Sequence, residues 1–209
     1  RRVDDYLVKP TSPRQVLSVV TRILEGSSIR QQQVAQDFAA RFPTLSRDVQ
    51  QADNADDFAR AYTELTDWHL RLESAGEQGL LDTVRSLMTD LRRHFGTFVV
   101  REYPRWMRGA EDRPVLSVDL VELFLLPWLD DDPVYFVVLD CMRLDQWRVI
   151  QPILAELFKP AEDELFYSIL PTATQYARNA FFAGVTPAEI ARKFPKDWKN
   201  DDEEGSKNA

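Results

Sequence analysis

Asp140 and a threonine of the 171–174 loop, Thr172 or Thr174, are the residues whose types and settings best suit chemistry, and each follows an apolar run of strand length. Residues 134–139 (Val, Tyr, Phe, Val, Val, Leu) end in Asp140, and residues 165–170 lead into Pro171, Thr172, Ala173 and Thr174. In an open α/β sheet the carboxyl ends of the strands form the crevice where ligands bind, so an Asp on that edge is placed to hold a metal or a substrate. Threonine is a poor nucleophile at neutral pH because its hydroxyl keeps its proton. A divalent cation bound to the oxygen and held by a nearby Asp lowers that cost. Such a pairing makes a metal-activated nucleophile, and a helix beginning just after the loop would turn backbone N–H groups toward a phosphate. The plainer reading is that Thr172 or Thr174 caps that helix, which threonines do routinely.

The elements that must position these residues alternate along 111–209. Ser117 can cap a helix through Leu126. Strand 134–139 follows, then a helix from about Asp145 to Phe158, strand 165–170, and a helix from near Thr174. Thr186, Pro187 and Glu189 form a capping box with Pro at the first helical position, announcing another short helix. Strand, helix, strand, helix implies a parallel sheet with crossovers. Two strands are too few for a stable sheet, so the domain reads as incomplete.

Upstream, 27–110 is helical in period. One helix covers 29–42, with Val34, Phe38 and Phe42 on a stripe. Asp53 and Asn54 can cap a second, bearing Phe58, Tyr62, Leu65, Trp68 and Leu72 and broken by Gly76 and Gly79. A third points Leu80, Val84, Leu87, Leu91, Phe95 and Phe98 inward and ends before Pro104. Three helices with short connections predict a bundle with these aromatics in its core. His69 and His94 lack the i, i+4 partner of a helical metal site and read as structural or surface residues. At the start, 6–8 read as a short strand. Ser12 and Pro13 open a helix carrying Val16, Leu17, Val20, Ile23 and Leu24, which Gly26 stops. The expected fold class is α/β with a large all-α part, divided into 1–26, 27–110 and 111–209.

Composition bounds the function. With 209 residues, 44% of them hydrophobic, the chain can bury one or two cores. A net charge of −8 argues against a protein that coats nucleic acid. The single cysteine, Cys141, rules out an internal disulfide and fits a reducing compartment. No apolar run reaches membrane-spanning length and no signal peptide opens the chain, so a cytoplasmic location is expected. Both ends read as cut, as in an internal piece of a larger protein. Cys141 reads as a small core residue, Asp145 as a helix cap or a second metal ligand, and the acidic run 130–132 before Pro133 as a solvated turn.

Two stretches resemble known families. Asp5, Tyr6, Leu7, Val8, Lys9 and Pro10, followed by Ser12 and Pro13, resemble the end of a receiver domain of two-component response regulators. That resemblance implies Lys9 as the phosphate-sensing lysine and Tyr6 as the switch aromatic, with the phosphoacceptor Asp upstream. Asp140, Arg143 and Asp145, followed by Pro171, Thr172, Thr174, Arg178 and Asn179, resemble the opening of a PglZ domain of the alkaline phosphatase superfamily. By that resemblance Asp140 is a metal ligand and Thr174 the metal-bound nucleophile, with Thr172 the alternative. Arg178 and Asn179 contact phosphate, and the complete domain holds two zinc ions. Receiver end, helical bundle and PglZ opening together resemble the PorX type of response regulator. The superfamily's remaining Asp and His ligands come later in the chain, so this stretch is not expected to assemble a working dimetal site by itself.

The resemblance implies a metal-dependent phosphodiesterase or phosphatase-like output, acting on nucleotide phosphodiesters and controlled by a sensor histidine kinase, in signalling to type IX secretion. It also implies a homodimer on phosphorylation and a sigma factor or secretion-system component as partner. The alternative is a non-catalytic adaptor that switches assembly through the helix at 13–25. Direct DNA binding is not expected, because no basic recognition helix is visible.

Overall fold

The computed structural model describes residues 9, 11–129 and 133–199. The chain divides into two compact units. One runs to Glu102 and takes in Arg143–Glu156; the other comprises Tyr103–Met142 and the residues from Leu157 onward.

The first unit is built on three long helices. Helix α1 (Pro13–Gln51) is capped by Ser12, whose Oγ accepts from the Gln15 amide, with Pro13 at its first position. It passes through both Gly26 and Pro43 without a break. Gly26 therefore does not stop it: a glycine stop needs a left-handed residue, and among the described glycines only Gly76, Gly109 and Gly184 have positive φ. Helix α2 (Ala55–Ala75) is capped by Asn54 Oδ1, 3.0 Å from the Asp57 amide, and ends on left-handed Gly76. Helix α3 (Gln78–Trp106) starts before Gly79 and continues past Pro104, both of which had read as breakers.

Apolar residues at helical spacing fill the centre: Phe38, Leu45 and Val49 from α1, Phe58, Leu65, Trp68 and Leu72 from α2, and Leu81, Val84, Leu91 and Phe98 from α3. The aromatics pack on one another, with ring centroids 5.3 Å apart for Phe38 and Trp68 and 4.8 Å for Phe58 and Phe98. Two ion pairs staple α1 antiparallel to α2: Arg41 forks onto Glu64 at 2.6 and 2.7 Å, and Arg71 meets Asp37 at 3.2 Å. His94 Nδ1 lies 3.2 Å from the Val49 carbonyl, a structural role. The N-terminal part of α1 keeps Val16, Leu17, Val20 and Ile23 exposed.

Helix α4 (Leu144–Leu154) belongs to this same unit and packs on α2. It ends earlier than the sequence suggested. Asp145 is not its cap; it sits in the first turn and pairs with Arg143 at 2.8 and 3.0 Å.

The second unit is organised around a single parallel bridge, Leu116 to Tyr167. Ser117 N–H donates to the Tyr167 carbonyl at 2.8 Å, Tyr167 N–H donates to the Val115 carbonyl at 2.9 Å, and Ile169 N–H donates to Ser117 Oγ at 3.2 Å. Ser117 thus serves this pairing rather than capping a helix. The chain instead enters a π-helical turn (Val121–Leu125) and a 3₁₀ turn (Leu126–Trp128). Trp106, Leu116, Val118, Ile169 and Ala180 form the core. Helix α5 (Thr174–Ala183) ends on left-handed Gly184, and α6 (Pro187–Lys193) carries the expected Thr186–Glu189 capping box.

The expected parallel sheet is not formed among the described residues. The 134–139 run has the continuous apolar character of a strand covered on both faces. It finds no ladder partner there, and its side chains are exposed, Tyr135 at 92% and Val137 at 75%. Residues 165–170 pair only at Tyr167. Among the described residues the α/β reading is reduced to one bridge beside a mostly helical chain.

Candidate functional site

The loop that carries the candidate nucleophile is held from several sides. Arg113 forks onto Asp119 at 2.6 and 2.8 Å, and Asp119 Oδ2 accepts the Leu116 amide at 2.8 Å. That fixes Leu116, which fixes Tyr167 through the bridge. The Trp106 ring packs 5.7 Å from Tyr167, centroid to centroid. Three residues on, the Tyr103 hydroxyl accepts the Leu170 amide at 2.6 Å and donates to its carbonyl at 3.2 Å. Residues 171–173 and then α5 follow directly.

Neither threonine caps that helix. The N-cap of α5 is Ala173, with no side-chain hydrogen bond to the first turn, and Thr174 is the first helical residue. Thr172 and Thr174 are both exposed. The capping explanation for these hydroxyls is overturned, and the Tyr176 and Ala177 amides donate to the Ala173 carbonyl at 3.0 and 2.9 Å. Arg178 lies one turn further on and is exposed. Asn179 turns its amide back to the Gln175 carbonyl at 3.3 Å.

Asp140 is exposed and occupies a turn. The next residue, Cys141, has φ of 59°, the only positive φ among described non-glycine residues. That left-handed backbone is uncommon for a residue with a Cβ and is the kind of local strain found where a side chain must be aimed. Cys141 is exposed rather than a core residue, and its thiol lies 3.6 Å from Asp140 Oδ1. Four residues before Asp140, Phe136 stacks on Phe181 of α5, centroids 5.9 Å apart and planes 9° from parallel. Sequence reading missed Tyr103 and this stack, because each acts across a distance in sequence that periodicity does not report, and missed Asp119 because the segment 117–126 read as a helix.

Electrostatics around the site are structural. Burial works against the charged form of Asp119, but the Arg113 guanidinium and the Leu116 amide outweigh it and hold its carboxyl below the ordinary value. The Arg143 guanidinium likewise lowers Asp145, which makes Asp145 an ion-pair member rather than a free ligand. Among the described residues no group of three or more His, Cys, Asp or Glu gathers to hold a metal ion. Lys9 is exposed in a bend; Tyr6 and the acidic run 130–132 lie outside the described residues. In the first unit a cleft of 360 Å³ is lined by Arg41, Asp48, Asp57, Arg60 and Glu64. Its cations are already paired, Arg41 with Glu64 and Asp48 and Arg60 with Asp57, so it offers no free charge to a ligand.

Residues 28–107 match the family model described as the PorX response regulator linker domain, and residues 123–209 match that of the BREX system PglZ alkaline phosphatase-like domain. The two matches agree with the resemblance to a PglZ-domain response regulator of the PorX type. No curated protein matches it. No helix among the described residues is long and apolar enough to cross a membrane.

Proposed function

We propose that this chain carries the opening of a metal-dependent phosphoester hydrolase within a cytoplasmic response regulator, with Asp140 as a metal ligand and Thr174 as the nucleophile. The observation that carries the reading is that α5 opens with an uncapped N-terminus beside two exposed threonine hydroxyls. The Phe136–Phe181 stack supports bringing Asp140 to the same end. Four residues of extended chain reach at most about 14 Å and seven residues of helix span about 10 Å. The stack thus leaves Asp140 within chain reach of Thr174.

A carboxylate and a hydroxyl are hard oxygen donors that suit a divalent cation, but zinc takes three or four protein ligands. Asp140 and Thr174 supply part of that set. A zinc ion there would lower the pKa of the threonine hydroxyl and offset phosphate charge. The chain's own residues do the rest. Thr174 Oγ1 gives its proton to solvent and attacks phosphorus in line, the bond to the leaving oxygen breaks and that alkoxide takes a proton from water, and a second water later cleaves the phospho-threonine to free the hydroxyl and phosphate. First-turn amides of α5 and the exposed Arg178 guanidinium receive the phosphate oxygens. The substrate class is a nucleotide phosphodiester, and the expected input is a sensor histidine kinase acting through a receiver in which Lys9 and Tyr6 serve.

The test is turnover of a chromogenic phosphodiester by the full-length protein with zinc. Thr174→Ala should abolish it, Thr172→Ala should leave most of it, and Asp140→Ala should lower zinc affinity together with rate. Full turnover by Thr174→Ala sinks the nucleophile assignment.

A second reading rests on the exposed Val16, Leu17, Val20 and Ile23 of α1. In it, phosphorylation switches a homodimer through residues 13–25, and the output module binds a sigma factor or secretion component of type IX secretion without turnover. Normal secretion in a Thr174→Ala strain would favour it.

A further inference from the structure

Helix α5 has two sides with different surroundings. Ala180, its buried residue, lies on the side of half-buried Tyr176 and Ala177. The other side carries the candidate nucleophile. At about 100° per residue, Arg178 stands about 40° round the axis from Thr174, and Phe181 about 20° short of two full turns from it. The three therefore share one stripe, on which Thr174 and Arg178 are exposed and Phe181 is half-buried. Phe136 stacks on Phe181 there, ring centroids 5.9 Å apart and planes 9° from parallel, and Phe182 meets Phe181 edge-on at 4.9 Å.

The run that carries Phe136 depends on side-chain packing. No backbone hydrogen bond ties residues 134–139 to another described segment. Their exposure alternates as it does in a strand with one face covered. Val134, Phe136 and Val138 are 41%, 41% and 47% exposed, against 92%, 75% and 54% for Tyr135, Val137 and Leu139. The better-covered face is the one that includes Phe136. Only Val137, Val138 and Leu139 separate Phe136 from Asp140. All these residues belong to the second unit, so the relationship lies within one compact body.

We propose that Phe181 is a positioning residue whose stack with Phe136 holds the run leading to Asp140 against the stripe of α5 that carries Thr174 and Arg178. A carboxylate and a hydroxyl on separate elements share a cation only when supporting contacts hold those elements together. The inference deepens the hydrolase reading and rests on it for its catalytic consequence. The packing part does not, because the stack holds the run whether or not zinc binds.

Cys141, the one cysteine of the chain, is exposed and adjoins Asp140, so a nitroxide label there reports on the end of the run by electron paramagnetic resonance. The full-length protein is used, with any cysteine outside these residues changed to serine. A second label introduced by Arg178→Cys gives the distance from that end to the Thr174 stripe. Phe136→Ala and Phe181→Ala should each raise the mobility of the Cys141 label and broaden the distance distribution. Combined, they should do no more than either alone, since both remove the same contact. Phe181→Tyr keeps the ring and should match the parent. In the unlabelled protein each alanine variant should weaken zinc binding about two- to tenfold, the range an aromatic pair supports, and Phe181→Tyr should leave it unchanged. Circular dichroism at the parent value checks the fold, and Phe136→Ala, which truncates a part-exposed ring, carries the test if Phe181→Ala unfolds.

Unchanged label mobility in the alanine variants, additive effects in their combination, or disruption by Phe181→Tyr overturns the proposal. If the labels respond as expected while the parent binds no zinc and turns over no phosphodiester, the stack positions the run and the hydrolase reading fails. If the labels do not respond while Thr174→Ala abolishes turnover, the positioning role falls and the hydrolase reading stands.

Discussion

The Tyr103 hydroxyl lies 2.6 Å from the Leu170 amide nitrogen and 3.2 Å from the Leu170 carbonyl oxygen, so a single side chain grips both backbone polar groups of the residue before Pro171. Four residues later comes Thr174. Tyr103→Phe removes both hydrogen bonds and leaves the ring, which packs near Trp106. A hydrogen bond of this kind contributes about 1 kcal/mol net. If that order is needed to aim Thr174, kcat for a phosphodiester should fall about three- to tenfold, with zinc affinity unchanged. Steady-state kinetics with a zinc titration checks it; an unchanged kcat would show that the loop keeps its shape without Tyr103.

Acid should unfold the protein by a route that runs through Asp119. Its carboxyl is held below the ordinary value, despite burial, by Arg113 and the Leu116 amide. Glu64 is lowered in the same direction, chiefly by its hydrogen bond with Arg41. A carboxylate with a lowered folded pKa binds protons more readily in the unfolded chain. Its stabilising contribution is complete above the unfolded value, about 3.9 for Asp, and fades as pH falls through the lower folded value. Urea unfolding free energy should be level from about pH 7 to 5 and drop below about pH 4. Asp119→Asn should lower the neutral-pH plateau by about 1–3 kcal/mol, because Arg113 loses its partner, and should flatten the acid limb.

The helices were legible where periodicity and caps agreed. Asn54, Gly76, Ser12 and Thr186 act at the positions their types imply, and the buried stripe of α2 is the one its spacing predicts. Gly79 and Gly26 misled because a glycine costs a helix only about 1 kcal/mol, which packing and length outweigh, while Pro104, a costlier breaker, lies in the last turn of α3. At Pro104, for instance, α3 continues far enough to bury Trp106 against the pairing segment. The sheet was overread for a different reason. A strand is defined by its partners, and no local pattern shows whether 134–139 finds any. The pairing that does form, Leu116 with Tyr167, involves a stretch whose Ser117 looked like a cap. For the site, residue types and loop position were readable at Asp140 and Thr174. The supports Tyr103 and Phe181 were not, since their contacts close long loops in space, and the Arg113–Asp119 pair was hidden in a stretch that read as the start of a helix.

Strain at Cys141 offers a direct probe of the turn. A residue with a Cβ at φ 59° costs about 1 kcal/mol relative to glycine, which adopts this region freely. Cys141→Gly should raise stability by about 0.5–1 kcal/mol, read by thermal unfolding. If the strained backbone aims the Asp140 carboxylate, the same variant should lose zinc affinity, because glycine releases the constraint. Stability gained with zinc affinity intact would mean that the turn needs only its shape, not its stiffness.

The continuity of α1 through Gly26 separates two arrangements of the N-terminal region. If Gly26 ended a helix in a left-handed conformation, adding a Cβ would strain it and destabilise the protein. In the structure Gly26 is interior to a 39-residue helix, and a Cβ there meets nothing within 4 Å. Gly26→Ala should then stabilise the helix by about 1 kcal/mol, the difference between glycine and alanine in a helix interior. Far-ultraviolet circular dichroism should show helicity equal to or above the parent value, and the thermal midpoint should rise. A fall in both would mean that the chain turns at Gly26, and that the exposed stripe of Val16, Val20 and Ile23 belongs to a helix separate from the bundle.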